Sequence, residues 1–232
     1  MTANIELDPA ASPLQTFGAL IARTADDLSS LSFVAEWVGP SERVPVFDVA
    51  SLRDFASDTD RRIFLAELLA SYTHVASGPI WSRTPRGWRK RRYSELDPLW
   101  LGELIEAVPD AQRGAVLRRL GDLALFLAGV FPDHVGRHPL EPRHLARITR
   151  AIEAREGPIG VPPVAAGAFR EGGVRVLEWL GRVCYRLAER HAVRGSDVLP
   201  EVAERIVDGR RFLNLLTDRY LFPLRERWFP VA

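Results

Sequence analysis

The stretch Leu117-Arg118-Arg119-Leu120-Gly121-Asp122-Leu123-Ala124-Leu125-Phe126-Leu127-Ala128-Gly129-Val130-Phe131-Pro132 decides the fold. No residue from Leu123 to Phe131 is polar, and a helix apolar on every side has to be covered on every side. The run is about half of what a bilayer crossing needs. It therefore reads as the buried axis of a helical bundle, a central helix over about 110–131. Three residues interrupt it. Gly121 and Gly129 each cost roughly 1 kcal/mol in a helix interior, so they predict either close approach of a neighbouring helix or room for a bound molecule. Asp122 is the only acid between Asp110 and Asp133, and a carboxylate placed there needs a partner or a proton. Arg118, one turn earlier, is within reach. Arg118 and Asp122 are accordingly both a candidate ion pair and candidate pocket residues.

Outward from this axis, amphipathic helix dominates. Ser12-Pro13-Leu14-Gln15 is a capping box with proline at the first helical position. Behind it an alternating three-four spacing runs through Leu14, Phe17, Ile21, Leu28, Leu31, Ala35 and Val38, which predicts one long helix ending at Gly39-Pro40. Residues 43–49 have β-like character, but Pro45 favours an extended linker or edge segment. Ser51-Leu52-Arg53-Asp54 opens a second helix that closes at Gly78-Pro79. Asp97-Pro98 begins a short helix to Ala107, Pro132 stops the central helix, and Pro142 begins another through about Arg155. A penultimate helix spans about 169–192 and a last one about 200–222. The aromatic tail around Trp228-Phe229 is expected to dock on the body. The expected class is all-α, an irregular bundle of about seven helices with no strand pair. One domain over 1–232 is favoured, with a possible sub-boundary at the Gly/Pro-rich linker 157–168.

The 232 residues carry a formal net charge of +1, but the charge is segregated. Residues 1–60 are net −7, 61–92 net +7, 93–142 net −4 and 143–232 net +5. All but one of the 31 basic residues are arginine. Cys184 is the only cysteine, which excludes an internal disulfide and fits a reducing, cytoplasmic setting. The acidic N-terminus lacks the basic and apolar regions of a signal peptide.

Three groups of residues could carry chemistry. Trp81, Arg83, Arg86, Trp88, Arg89, Lys90, Arg91 and Arg92 fall, with Tyr93, in a thirteen-residue segment that holds six cations, three aromatics and no acid. Phosphate neutralisation with base stacking is the recipe for single-stranded nucleic acid, and clustered arginine also clamps phosphorylated or carboxylated small molecules. The competing reading is a solvated loop, or one neutralised by the acidic N-terminal region. Asp133, His134, His138 and His144 form the second group, with donor types suited to a divalent metal. Their His-x3-His-x5-His spacing matches no metal motif, and a surface loop is the simpler reading. The third group is Arg118 with Asp122, whose carboxyl would serve as an acid or base if it lined a pocket. No phosphate-cradling glycine loop, nucleophile elbow or dinucleotide fingerprint occurs, and no cofactor is implied.

The run Gly121 to Pro132, with the pattern Gly-Asp-x-x-Leu-Phe-x-x-Gly-x-Phe-Pro, resembles a segment of all-helical bacterial proteins of actinomycete type. The run Trp179 to Tyr185 extends that likeness, and the resemblance implies helical architecture without any activity. The function expected first is therefore that of a helical interaction protein, recognising a protein partner or self-associating. An anion or nucleic-acid binder using 81–93 comes second, and an all-α enzyme with a pocket near Asp122 and the His134–His144 loop third.

Overall fold

The computed structural model describes residues 11–39, 42–84, 87–160, 173–192, 198–222 and 228–229. Ser12 opens α1 (Pro13–Leu28) through the expected capping box: the Gln15 N–H donates to Ser12 Oγ at 3.3 Å and the Ser12 N–H to Gln15 Oε1 at 2.9 Å. The helix ends well before Gly39, the end its heptad spacing predicts. Ser29 and Ser30 turn their hydroxyls back onto the Asp26 and Asp27 carbonyls, which competes with the next helical turn. The chain then forms β1 (Val34–Gly39), paired antiparallel with β2 (Glu42–Val46). Leu31, Ala35 and Val38 fit a seam spacing, yet the intervening Phe33, Val34 and Trp37 suit a strand better. Trp37 lies opposite Arg43, whose guanidinium sits 4.0 Å from the indole.

The second helix is two. Asp58 ends α2 (Val49–Ser57) in extended backbone and caps α3 (Thr59–Ser71) by accepting the Arg61 N–H at 2.8 Å. The basic segment is a second antiparallel ribbon, β3 (Ser77–Thr84) with β4 (Gly87–Ser94). Two strand pairs thus stand where the sequence predicts the end of the first helix, an extended linker or edge segment, and a basic loop. Next come α4 (Pro98–Ala107) and the central helix α5 (Asp110–Val130). Pro132 opens a helix and does not simply stop one: α6 (Pro132–Arg137) begins with proline at its first position, where the missing N–H costs nothing. It is followed by α7 (Pro142–Glu156) and α8 (Gly173–Arg190). Residues 169–172 of the expected penultimate helix, and 161–168 of the expected linker, lie outside the described residues. The last helix breaks at Arg205 into α9 (Val198–Glu204) and α10 (Ile206–Leu216), which closes in a π-helical turn, Thr217–Leu221.

The fold is mostly helical, as the sequence predicts, and the described residues share a contiguous apolar core running from Phe17 to Phe229. The helix α5 is its axis: Leu117, Leu120, Leu123, Leu125, Phe126 and Val130 are all essentially without exposure. Its glycines mark close crossings. A Cβ on Gly121 would lie 2.8 Å from the ring of Tyr185 on α8, and one on Gly129 would lie 2.7 Å from Leu213 Cβ on α10. Both glycines therefore serve packing, the first of the two roles open from sequence. The C-terminal end of α5 is capped from outside, because the Asn214 amide donates to the carbonyls of Ala128 at 3.1 Å and Gly129 at 2.6 Å. These are among the carbonyls that a helix end leaves unpaired. The tail docks as expected: Phe229 is buried, stacks on Phe17 and meets the edge of Phe126 at 5.0 Å. Among the described residues no helix is long and apolar enough to cross a membrane.

Candidate functional site

The register of the β3–β4 ribbon sorts the basic segment into two faces, because directly opposed residues project to the same side. Gly78 opposite Tyr93, Ile80 opposite Arg91 and Ser82 opposite Arg89 make one face. That face leans on α4: Tyr93 meets Trp100 at 5.8 Å, and Arg91 pairs with Glu103 at 3.2 Å. Pro79 opposite Arg92, Trp81 opposite Lys90 and Arg83 opposite Trp88 make the other. Trp81 and Trp88 are diagonal neighbours on it and are 63% and 69% exposed. Lys90 and Arg92 are exposed and make no ion pair among the described residues. Arg86 lies outside the described residues.

The acidic N-terminal region finds its cations elsewhere. Asp27 pairs with Arg219, Glu36 with Arg210 and Arg211, and Asp54 with Arg205. These arginines lie on α10 or just beside it, so the N-terminal acids are answered by the C-terminal helices. Neutralisation of the basic segment by residues 1–60, one of the readings open from sequence, does not occur among these pairs. Burial works against the Glu36 carboxylate, but Arg210 and Arg211 outweigh it and hold the carboxyl below its ordinary range. Arg210 is itself buried, and it also reaches Glu178 at 2.5 Å and Asn214 at 3.0 Å. This network is structural, tying β1, α8 and α10 together.

Asp122 is buried in the bundle and accepts a hydrogen bond from the Tyr185 hydroxyl at 3.0 Å. Arg118 stands 3.9 Å from its other oxygen and is shared with Glu67 at 3.6 Å. Burial is the largest influence on the carboxyl and outweighs Arg118 and Tyr185, pushing its pKa up to about 6. Arg118 and Asp122 thus meet α8 through Tyr185, whose ring fills the space above Gly121. Cys184 is fully buried, and burial pushes its thiol far up, which removes it as a nucleophile.

The histidines sit on structure rather than on a loop. His134 and His138 are one turn apart across the end of α6, with ring centroids 4.8 Å apart, and His144 is in the first turn of α7. Together they rim a cavity of about 320 Å³. Its apolar floor includes Tyr72 and Phe126, stacked at 4.2 Å, and Phe229 of the tail. Asp122 is not among its lining residues, although its charge is felt by Tyr72, which is. Asp133 is on α6 but not among the lining residues. Among the described residues no group of three His, Cys, Asp or Glu side chains is placed to hold a metal ion. Sequence reasoning missed Glu141, Leu140 and Phe229 as parts of this cavity. Glu141 and Leu140 adjoin the histidines and were within reach of it; Phe229 is brought in only by the docked tail. Comparison of the chain with protein-family models, with curated proteins and with solved structures found no match.

Proposed function

We propose that the chain is a nucleic-acid-binding protein that holds single strands on the outer face of the β3–β4 ribbon, in a cytoplasmic setting. The observation that carries this reading is the pairing, on one exposed face, of two indoles with Lys90 and Arg92 that have no carboxylate partner among the described residues. Two large aromatic side chains kept in water are costly to solubility and contribute little to the fold, so a ligand with flat apolar surfaces is their natural counterpart. Nucleobases supply such surfaces, and each base stacked on an aromatic side chain is worth about 1–3 kcal/mol. The phosphates between the bases answer the cations. Two neutralised phosphates give a salt slope of about −0.7 each, so affinity falls roughly sevenfold between 50 and 200 mM salt.

The test is fluorescence polarisation with a labelled 20-nucleotide single strand of mixed sequence. Micromolar binding at 50 mM salt is expected, weakened at least about tenfold by Lys90→Glu/Arg92→Glu. These positions are exposed and make no ion pair among the described residues, so the variant should melt like the wild type. Binding that ignores both salt and the charge reversal would return the protein to the helical-interaction reading.

A further inference from the structure

The histidine-rimmed cavity is a second, separate place with the features of a ligand site. Its volume of about 320 Å³ lies at the low end for small-molecule pockets, too small for a dinucleotide or a haem. The floor is aromatic and aliphatic, and the polar groups gather at the mouth. That is the layout for a ligand with a hydrocarbon body and one polar head.

The charge at the mouth identifies the head. The titratable groups lining the cavity are Tyr72, His134, His138, Glu141 and His144. Burial pushes the Tyr72 phenol well up, so it stays neutral, and its hydroxyl is turned to the Arg119 carbonyl at 3.5 Å. The Glu141 carboxylate is paired with Arg143 Nε at 2.5 Å. With that charge answered, three imidazoles remain, and each offers an N–H when neutral and a cation when protonated. Their grouping does not suit a metal ion, but hydrogen-bond donors at the open end of an apolar cavity suit a carboxylate.

We propose that this cavity binds a small apolar monocarboxylate, an aliphatic or aryl acid whose hydrocarbon part lies on Tyr72, Phe126 and Phe229 and whose carboxylate is held by His134, His138 and His144. The site is independent of the nucleic-acid face: it lies between α6, α7 and the tail, and its lining includes no residue of β3 or β4.

Calorimetric titration of the full chain with decanoate and with decan-1-ol separates the head from the body of the ligand. One decanoate per chain is expected, bound about tenfold or more tightly than decan-1-ol. His134→Gln/His138→Gln changes two exposed side chains and should leave the fold intact while removing most of that preference. Leu140→Trp fills the cavity and should abolish binding of both ligands. Equal binding of acid and alcohol, an unchanged preference in the glutamine variant, or no binding to the natively folded wild type would each overturn the proposal.

Discussion

Replacing Asp122 by asparagine tests the reading of the central helix through its electrostatics. The carboxyl has an ordinary pKa of 3.8, and burial raises it to about 6 in the folded chain. A raised folded pKa means that the native state holds the proton more tightly than the unfolded state. Below pH 3.8 the protonated acid costs nothing; as pH rises toward 6 the buried group is increasingly penalised, and above 6 the penalty is complete. The rise from 3.8 to about 6 corresponds to about 3 kcal/mol, of which about 2 kcal/mol develops between about pH 4.5 and pH 7.5. The amide introduced by Asp122→Asn keeps an acceptor for the Tyr185 hydroxyl but carries no charge, so the variant escapes this penalty. Other titrating groups change the stability of both proteins alike, and the difference between them isolates the one carboxyl. Urea unfolding of wild type and Asp122→Asn at half-unit steps from about pH 4.5 to 7.5 is the assay. Relative to wild type, the variant should gain about 2 kcal/mol across that window. A difference that stays flat within about 0.5 kcal/mol, or moves in favour of the wild type as pH rises, would refute a desolvated Asp122.

Three further outcomes follow from the packing. Gly129→Ala drives a methyl group to 2.7 Å from Leu213 Cβ, and should cost about 1–3 kcal/mol in thermal or urea unfolding; an unchanged melting temperature would show that α10 does not cross α5 there. Arg210→Met leaves Glu178 and part of Glu36 buried without their cation, with an expected loss of about 3–5 kcal/mol in urea unfolding. Phe229→Ala removes a buried ring that touches Phe17, Phe126 and Phe131. It should cost about 3–5 kcal/mol and weaken decanoate binding in calorimetry, whereas a neutral effect on both would mean that the tail is not docked.

The axis of the fold was legible because nine consecutive apolar residues leave a helix no exposed side, and the capping patterns at Ser12 and Asp97 placed two helix starts correctly. The strands were not. Leu31 and, in β1, Ala35 and Val38 continue the α1 seam by coincidence of spacing, and what ends the helix is local hydrogen bonding by Ser29 and Ser30. In β3 and β4 no apolar alternation exists, because the ribbon buries no continuous face, and alternation is the signal by which strands are read. The same absence hid which cations share a side with Trp81 and Trp88; only the register reveals it. At Asp122 the sequence pointed to Arg118, which is present at 3.9 Å, but not to Tyr185, the closer partner, which arrives from a helix 63 residues away. Clustered histidines flagged the cavity rim, while the floor needed tertiary contacts that no spacing encodes.

The claim that bases stack on the ribbon is tested most directly by comparing oligothymidylate with inorganic polyphosphate of equal charge, at one salt concentration, with tryptophan fluorescence as the readout. Stacking predicts that oligothymidylate binds at least about tenfold more tightly. It also predicts that oligothymidylate quenches part of the emission, with both effects lost in Trp81→Ala/Trp88→Ala. Equal affinity for the two polyanions, with emission unchanged by either, would contradict it and leave only a surface of positive charge.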